Sequence, residues 1–377
     1  MRWAIINPWT ISSKSIGGTE RYVKDLAYAL KTKRCEVDVY MLSGDSYVDK
    51  GINFISLNIC DEIDEYKLKA IFGDMLSEAT YDKVAQFLES KIDVAKYDVF
   101  QLNSHLFLKC WQNKNRIFTI HSNRAEFCVT SSLKEFEFQV EMMKRQASLG
   151  MKFVVPSKSY FQHWKRVLKR NVFSIPHAID VSRLKCSIPK REIEKTYGLD
   201  SRKIKFILPS RLEPVQKRPK YFLKACAGLD DVKKSKIQTI LTGIDVQYEK
   251  YATELKVFAI AKKLDVKFVK FEDINEGFKV GDCIVVPSKS ETFGYSALEG
   301  LSLGKVTILS KIPTFEEISQ QNDQAHLFSN LKELTNILIE LIDENRFEEK
   351  KPSKKWQEGY DINLWIEKYI NLSKQTF

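Results

Sequence analysis

Short β-branched apolar runs alternate with stretches of helical length along this chain, and the alternation occurs twice. The runs that predict strands are residues 2–7, 37–42, 99–102, 116–120 and 152–155, and then 204–208, 237–241, 266–271, 283–286 and 306–309. Several of them are almost entirely apolar, which is typical of parallel strands that are buried on both faces. A repeated strand–helix order predicts an α/β fold with two Rossmann-like, doubly wound domains.

The helical stretches set the predicted domain limits. Amphipathic patterns cover residues 19–33, 133–149 and 157–169, and later 219–229, 247–263, 296–303 and 331–343. We predict one domain over residues 1–178 and a second over 179–355, with the charged stretch 185–202 as a hinge between them. Residues 356–377 predict one more amphipathic helix, with Trp365 and Tyr369 on its apolar side.

Composition excludes several classes of protein. A chain of 377 residues with 44% hydrophobic content can bury two cores, and no apolar run approaches the ~20 residues of a membrane span. The apolar first nine residues are too short for a signal peptide. Seven scattered cysteines without a C-x-x-C pair argue against disulfides and structural zinc, and for a reducing compartment. We therefore expect a cytoplasmic protein, peripheral to the membrane at most.

The chain also lacks the usual signs of metal chemistry. It has no D-x-D triplet, and none of its five histidines are paired at the spacing of metal ligands. The sequence therefore predicts a protein with no metal site and no cofactor.

The formal net charge of +11 allows two interpretations. A basic surface attracts partners that bear phosphate, such as nucleotides, anionic lipids or nucleic acids. Abundant lysine also simply keeps a protein in solution. Charge alone does not choose between these interpretations.

A glycine pair precedes the first helix. Gly17 and Gly18 stand between the first predicted strand and the helix that starts near residue 19. Without side chains, they allow a phosphate to approach the backbone N–H groups at the helix N-terminus. An ordinary tight turn would use the same residues, so both interpretations stay open here.

A longer motif follows the fourth strand of the second half. Glu291 lies in a polar loop before a predicted helix, and Glu299 lies about two turns later in the chain, within that helix. Two carboxylates in this position can accept hydrogen bonds from vicinal hydroxyls, as in a sugar and a ribose. The backbone amides near Phe293, Gly294 and Tyr295 would face a diphosphate. Taken alone, the motif also fits two exposed glutamates at the ends of a helix.

Two cations follow the first strand of the same half. Arg211 and Lys217 leave the carboxyl end of that strand, on the side of the sheet where Glu291 emerges. A guanidinium fork and an ammonium point charge together suit a diphosphate that gains negative charge as it leaves.

These motifs, in this order and spacing, resemble glycosyltransferase family four, a retaining group with the GT-B fold. The glycine loop, the strand ending at His121, the paired glutamates and the Arg211–Lys217 spacing are all similar to that family, and the likeness runs nearly from end to end. The resemblance implies two facing Rossmann-like domains with a cleft between them. Residues 1–178 would bind the acceptor, residues 179–355 would bind the donor, and the last helix would cross back to the first domain.

The resemblance also implies a reaction and a set of roles. A sugar would move from a nucleotide-diphosphate sugar, as a hexosyl- or pentosyltransferase reaction, with retention and without a protein nucleophile. Arg211 and Lys217 would stabilise the leaving diphosphate, Glu299 would hold the ribose, and Glu291 would orient the sugar. His121 would contact the sugar near the reacting carbon, and Gly17, Gly18, Phe293, Gly294 and Tyr295 would complete the donor site.

The chain departs from the family pattern in two places. His177-Ala178 stands where the family usually has Asn-Gly, and Arg218 stands where a glycine usually follows the lysine. We expect the first to change a hinge turn and the second to add positive charge near the cleft.

The acceptor remains open at this level. One interpretation is a cell-envelope glycan or a glycolipid at an anionic membrane surface, and the other is hydroxymethylated DNA, as in a phage enzyme. The cations that could serve either acceptor are Arg124, Lys144, Arg145, Arg166, Lys169 and Arg170. A third possibility is a non-catalytic protein that binds sugar nucleotides or acts as a scaffold. No obligate protein partner is predicted.

Overall fold

The structure, a computed structural model, describes residues 1–11, 17–59, 62–63, 78–121, 133–243 and 248–375. The chain divides into two compact units. We call residues 1–178 with 360–377 the first domain, and residues 179–359 the second domain. The chain returns to the first domain at 360 rather than at the predicted 356, because the indole N–H of Trp356 donates to the carbonyl of Ile318 in the second domain at 2.7 Å.

An eight-stranded sheet forms the centre of the first domain, with the strand order β3-β4-β2-β1-β5-β6-β7-β8. Its strands are β1 (Arg2–Asn7), β2 (Glu36–Met41), β3 (Tyr47–Asp49), β4 (Ile52–Ser56), β5 (Val99–Leu102), β6 (Arg116–Thr119), β7 (Lys152–Val155) and β8 (Val172–Ser174). Neighbouring strands are parallel except for the antiparallel pair β3–β4. Every residue of β5, β6 and β7 is buried, as expected where both faces of a parallel sheet are covered.

Helices of the first domain pack around this sheet. Numbered along the chain, they are α1 (Gly18–Thr32), α2 (Glu78–Lys91), α3 (Leu133–Ser148), α4 (Lys158–Leu168) and the last helix, α14 (Ile362–Ser373). The helix α14 packs against α1, and Trp365 and Tyr369 are buried, as the apolar side of the pattern predicts.

The second domain is built on a six-stranded parallel sheet with the order β11-β10-β9-β12-β13-β14. Its strands are β9 (Ile204–Leu208), β10 (Ile237–Leu241), β11 (Val266–Phe268), β12 (Cys283–Val286), β13 (Val306–Ser310) and β14 (Ala325–Phe328). Its helices are α5 (Lys190–Thr196), α6 (Pro219–Ala227), α7 (Asp231–Lys236), α8 (Glu249–Ala261), α9 (Ile274–Val280), α10 (Tyr295–Ser302), α11 (Pro313–Ser319), α12 (Leu331–Asp343) and α13 (Lys354–Gly359).

The stretch 185–202 differs from the predicted hinge. Part of it is the helix α5, which packs against α9 inside the second domain. Glu194 of α5 forms a buried ion pair with Lys205 at 2.8 Å, and Lys190 pairs with Asp282. The many charges on one short stretch suggested a hinge, but Lys190 and Glu194 pair with residues outside the stretch.

Each sheet has one point where the strand order reverses. In the first domain β1 lies between β2 and β5, and in the second β9 lies between β10 and β12. At such a point the loops at the carboxyl ends of two neighbouring strands diverge and leave a crevice where ligands bind. The fold therefore directs attention to the residues that follow β1, β5, β9 and β12. None of the described helices is long and apolar enough to cross a membrane.

Candidate active site

The loops after β9 and β12 meet at the reversal point of the second sheet. Lys217 in the first loop and Glu291 in the second form an ion pair, with 2.6 Å between Nζ and Oε1. The same carboxylate oxygen accepts a hydrogen bond from the hydroxyl of Ser288 at 2.8 Å. Both charged side chains are largely buried, which strengthens their attraction relative to a pair in water. A fixed ammonium group at a strand end is what an anionic ligand requires.

Glu213 shapes the loop that presents Lys217. Its carboxylate accepts hydrogen bonds from the backbone N–H groups of Val215 at 2.9 Å and of Lys217 at 3.1 Å, and from that of Gln216 between them. Three consecutive N–H groups thus bind one side chain. The loop is held in a single conformation before any ligand arrives.

Gln216 joins this loop to the one that carries Glu291. The side-chain N–H₂ of Gln216 donates to the backbone carbonyl of Ser290 at 3.1 Å. The backbone carbonyl of Gln216 accepts from the backbone N–H of Lys289 at 2.7 Å. The ion pair between Lys217 and Glu291 is therefore supported by two hydrogen bonds beside it.

Arg218 has a role that differs from the expected one. We predicted that it adds positive charge for a ligand, but its guanidinium donates to the carbonyls of Pro287 and Ser288, at 2.8 and 3.3 Å, and to the hydroxyl of Ser310 at 3.1 Å. Its backbone is left-handed, with φ +51° and ψ +49°. A glycine would adopt that conformation without strain, which is a physical reason for a glycine at this position.

The side chain of Arg211 is exposed, and its backbone packs closely against Gly243. A Cβ atom on Gly243 would lie 2.4 Å from the carbonyl oxygen of Ser210 and 2.7 Å from the Cα of Arg211. Gly243 also has φ +63°. The close approach of these two loops requires glycine and places Arg211 at the same edge of the sheet as Lys217.

The helix α10 begins at this edge. Gly294 is its N-cap with φ +84°, and an added Cβ would lie 2.5 Å from the ring of Phe315. Phe293 is 5% exposed, so its side chain is part of the core. Its ring packs against Tyr295 at 5.1 Å. Glu299 is buried within the helix.

In the first domain, Gly17 and Gly18 start the helix α1. Gly17 is the N-cap with extended backbone, and its carbonyl accepts from the N–H of Arg21 at 3.1 Å. The helix N-terminus follows the reversal point after β1, where N–H groups and the helix dipole favour an anion. The structure is thus compatible with the predicted ligand-facing role of both glycines.

His121 is the second residue after β6 and lies in a cluster of aromatic rings. Its ring contacts Tyr22 edge-on, with 4.8 Å between centroids, and His177 at 5.8 Å. Its Nε2 atom lies 3.0 Å from the side-chain oxygen of Asn103. Burial, with a smaller contribution from the nearby His105, lowers the pKa of His121 to about 3. The ring is therefore neutral at physiological pH.

The predicted acceptor cations do not gather around His121. Arg166 is near the end of α4, and Lys169 and Arg170 lie in the turn before β8, at the amino edge of the sheet. Lys144 and Arg145 lie in the last turns of α3, which leads into the amino end of β7. All five are exposed, whereas His121 lies at the carboxyl edge. Arg124 lies outside the described residues.

Sequence reasoning missed the residues that hold this site in place. They are Tyr22, Gln101, Asn103, Glu213, Gln216, Gly243 and Ser288. The positions of Asn103 and Gly243 just after β5 and β10 were a usable signal, because carboxyl ends of parallel strands share one edge. No local pattern marks the others.

Two family profiles match the chain. Residues 16–183 match Glycosyltransferase Family 4, and residues 189–358 match Glycosyl transferases group 1. Among curated proteins, the O-antigen biosynthesis glycosyltransferase WclY of Escherichia coli is 28% identical over 164 residues, covering 38% of this chain and 46% of WclY. The chain thus spans about half the length of the curated relative that it matches.

Solved structures share the whole fold. Sucrose-phosphate synthase from Thermosynechococcus elongatus superposes with a TM-score of 0.79 at 18% identity, covering 99% of this chain and 98% of that one. The Anabaena protein HepE, in complex with UDP and glucose, gives 0.75 at 16% identity and covers 99% of both chains. At these identities the likeness concerns the fold alone.

The two domains and the profile matches define the class: this is a protein of the GT-B fold. Within that class, the chain belongs to the family-four type of glycosyltransferase.

Proposed function

We propose that this protein transfers a sugar from a nucleotide-diphosphate sugar to a hydroxyl group of a glycan, with retention of configuration. The observation that supports this most is the ion pair between Lys217 and Glu291 at the carboxyl edge of the second sheet, on the edge where Arg211 is exposed. The structural relative HepE, in complex with UDP and glucose, makes a nucleotide sugar a reasonable donor for this fold.

The charges of the second domain suit a donor diphosphate. Arg211 and Lys217 would stabilise the negative charge that develops as the diphosphate leaves, and such preorganised stabilisation is often the largest contribution to catalysis. The N-terminus of α10, at Gly294 and Tyr295, would add backbone N–H groups. Glu291 would accept hydrogen bonds from the sugar, and Glu299 from the ribose.

Retention is proposed on the family resemblance. In that mechanism the leaving group and the attacking hydroxyl occupy the same face of the sugar, and an oxygen of the leaving diphosphate accepts the proton. Glu291 is then a ligand for the sugar and not a nucleophile, which agrees with its hydrogen bonds to Lys217 and Ser288.

A glycan, carried by a lipid at the membrane surface, is the acceptor that we favour. The matched relative WclY is an O-antigen biosynthesis glycosyltransferase. The cations that would bind DNA phosphates, such as Arg166 and Arg170, lie at the edge of the first sheet opposite to His121. They are therefore poorly placed to position a flipped base for reaction.

The test combines a donor screen with two acceptors. The purified protein is screened for thermal stabilisation by nucleotide sugars, and the best donor is then offered with a lipid-linked oligosaccharide or with hydroxymethylated duplex DNA. We expect transfer to the oligosaccharide, with the anomeric configuration of the donor kept in the product. Transfer to DNA alone would contradict the glycan proposal, and an inverted product would contradict retention.

A control separates the surface cations from the site. The double variant Arg166→Ala plus Arg170→Ala should leave donor hydrolysis and oligosaccharide transfer unchanged. If the double variant instead abolishes transfer, and duplex binding falls steeply with salt, the acceptor is a polyanion.

A further inference from the structure

Asn103 and His121 come together because β5 and β6 are parallel neighbours. Asn103 directly follows β5, and His121 is the second residue after β6. Both side chains therefore lie at the carboxyl edge of the first sheet. The His121 Nε2 atom is 3.0 Å from the Asn103 Oδ1 atom, which is hydrogen-bond distance.

The orientation of the Asn103 amide follows from its other partner. Its Nδ2 group lies 3.1 Å from the backbone carbonyl of Ile6, which can only accept a hydrogen bond. Nδ2 must therefore face Ile6, and Oδ1 must face His121. The side-chain N–H₂ of Gln101 also approaches this Oδ1 atom, at 3.5 Å, which agrees with an oxygen there.

An amide oxygen has no proton to give, so the His121 Nε2 atom must carry the hydrogen. In a neutral imidazole the other nitrogen is then the acceptor. Burial favours the neutral ring of His121, which the rings of Tyr22 on α1 and His177 after β8 contact and which has His105 nearby.

A buried network holds Asn103 and its neighbours in position. Gln101 donates to the hydroxyl of Thr119 at 2.9 Å, and that hydroxyl lies 2.8 Å from the hydroxyl of Tyr22. Tyr22 in turn donates to the hydroxyl of Tyr369 at 2.9 Å. The last helix, α14, is thus connected to the strand end that bears Asn103.

We propose that Asn103 is a positioning residue, which orients His121 and holds its ring in the Nε2–H tautomer, with Nδ1 as the acceptor nitrogen of the ring. The part of this inference that concerns turnover rests on the function proposed above. The part that concerns the tautomer rests on the hydrogen-bond partners of Asn103 alone.

The tautomer is tested without any substrate. In the protein labelled with ¹⁵N-histidine, long-range proton–nitrogen correlation spectra distinguish a protonated ring nitrogen from an unprotonated one, and loss of a signal in His121→Phe assigns the residue. We expect a protonated Nε2 and an unprotonated Nδ1 at neutral pH. A protonated Nδ1, or a ring protonated at both nitrogens, overturns the proposal. This result stands whether or not the protein transfers sugar.

The role in turnover is tested by two variants of Asn103 and a matched control. Asn103→Ala should lower kcat about tenfold or more with little change in KM, because the ring loses its orientation. Asn113→Ala, an exposed asparagine of the same domain, should leave kcat unchanged. In a His121→Ala background, the change at Asn103 should have little further effect, because the two residues act as one unit.

The isosteric variant Asn103→Asp adds the pH dependence of activity as a second measurement. A purely structural role of Asn103 would not change it. A carboxylate next to Nε2–H favours the imidazolium and raises the pKa of His121. We expect the activity of this variant to fall on the acid side at a higher pH than that of the wild type. Equal pH profiles for both proteins, or additive losses at Asn103 and His121, contradict the positioning role. If the wild type transfers no sugar from any donor, the function proposed above fails while the spectra still decide the tautomer.

Discussion

Lys217 and Glu291 lie 74 positions apart in the sequence, yet their side chains meet at 2.6 Å. The pair joins the loops that follow β9 and β12, the two strands at which the order of the second sheet reverses. The ammonium group is thus fixed in place before a ligand arrives, so a substrate does not have to order it. Several expected results follow from this arrangement and from its supports.

Removal of either cation should abolish most turnover. Arg211→Ala and Lys217→Ala should each lower kcat roughly a hundredfold or more, because each removes preorganised stabilisation of the leaving group. Lys217→Ala should also lower the free energy of unfolding by about 1–3 kcal/mol, since it leaves the largely buried Glu291 with less compensation. Steady-state kinetics and urea denaturation measure the two effects. Arg202→Ala, at a fully exposed position of the same domain, is the control, and near-normal activity in both Arg211→Ala and Lys217→Ala would refute the site.

A side chain at position 243 should destabilise the protein and displace the loop that carries Arg211. In Gly243→Ala the new Cβ would lie 2.4 Å from the carbonyl oxygen of Ser210, so the loop with Arg211 must shift. We expect a loss of stability and at least a tenfold loss of kcat. Gly198→Ala is a matched control, because Gly198 has the same φ of +63° with no atom within 4 Å of its Cβ position. Equal effects at the two glycines would show that backbone strain alone is responsible.

Two substitutions at Arg218 separate its side chain from its backbone. Both Arg218→Ala and Arg218→Gly remove the hydrogen bonds to Pro287, Ser288 and Ser310, but only glycine adopts φ +51° without strain. We therefore expect both variants to be less active than wild type. Arg218→Gly should be more stable than Arg218→Ala by about 1 kcal/mol. Chemical denaturation measures the difference, and equal stabilities would mean that the conformation at 218 is not strained.

Acid should destabilise the first domain through its buried histidines. Burial lowers the pKa of His121 to about 3 and that of His105 to about 4, below the ordinary value of about 6.5. The neutral ring is thus favoured on folding, so this stability is complete above about pH 6.5 and is lost as the pH falls towards 4. Each histidine should contribute a slope of at most about 1.4 kcal/mol per pH unit.

The comparison with His121→Phe isolates this effect. Denaturation curves between pH 4.5 and 7 should show a shallower pH dependence for the variant than for the wild type. Carboxylates that titrate in both proteins cancel in the difference. Parallel pH dependences would mean that His121 is not held neutral by the fold.

Transfer should continue when divalent metal is removed. The sequence has no D-x-D triplet, and the described residues contain no group of three histidine, cysteine, aspartate or glutamate side chains that could hold a metal ion. The cations Arg211 and Lys217 would instead stabilise the diphosphate. We expect the rate in excess EDTA to stay within about twofold of the untreated rate, a change of less than about 0.5 kcal/mol. Complete loss of activity, restored only by magnesium or manganese, would show that a metal ion stabilises the diphosphate.

Local patterns determined the elements that carry the site. The apolar runs at 204–208 and 283–286 predicted β9 and β12, because a buried parallel strand reads as a continuous apolar run. Since parallel strands share a carboxyl edge, the sequence also placed Arg211, Lys217 and Glu291 at one edge. Short elements such as β3, α9 and α11 were not predicted, since too few residues formed each pattern.

Only the tertiary structure decided the contacts between residues that are far apart in the chain. The pairing of Lys217 with Glu291, the support of Arg211 by Gly243, and the hydrogen bond from His121 to Asn103 all join separate loops. The same is true of Arg218, whose guanidinium makes three hydrogen bonds within the fold that its position in the sequence did not predict. Periodicity reports which face of an element is buried, but it contains no information about which distant group that face will meet. That choice is made by packing, when strand order brings particular loop ends together.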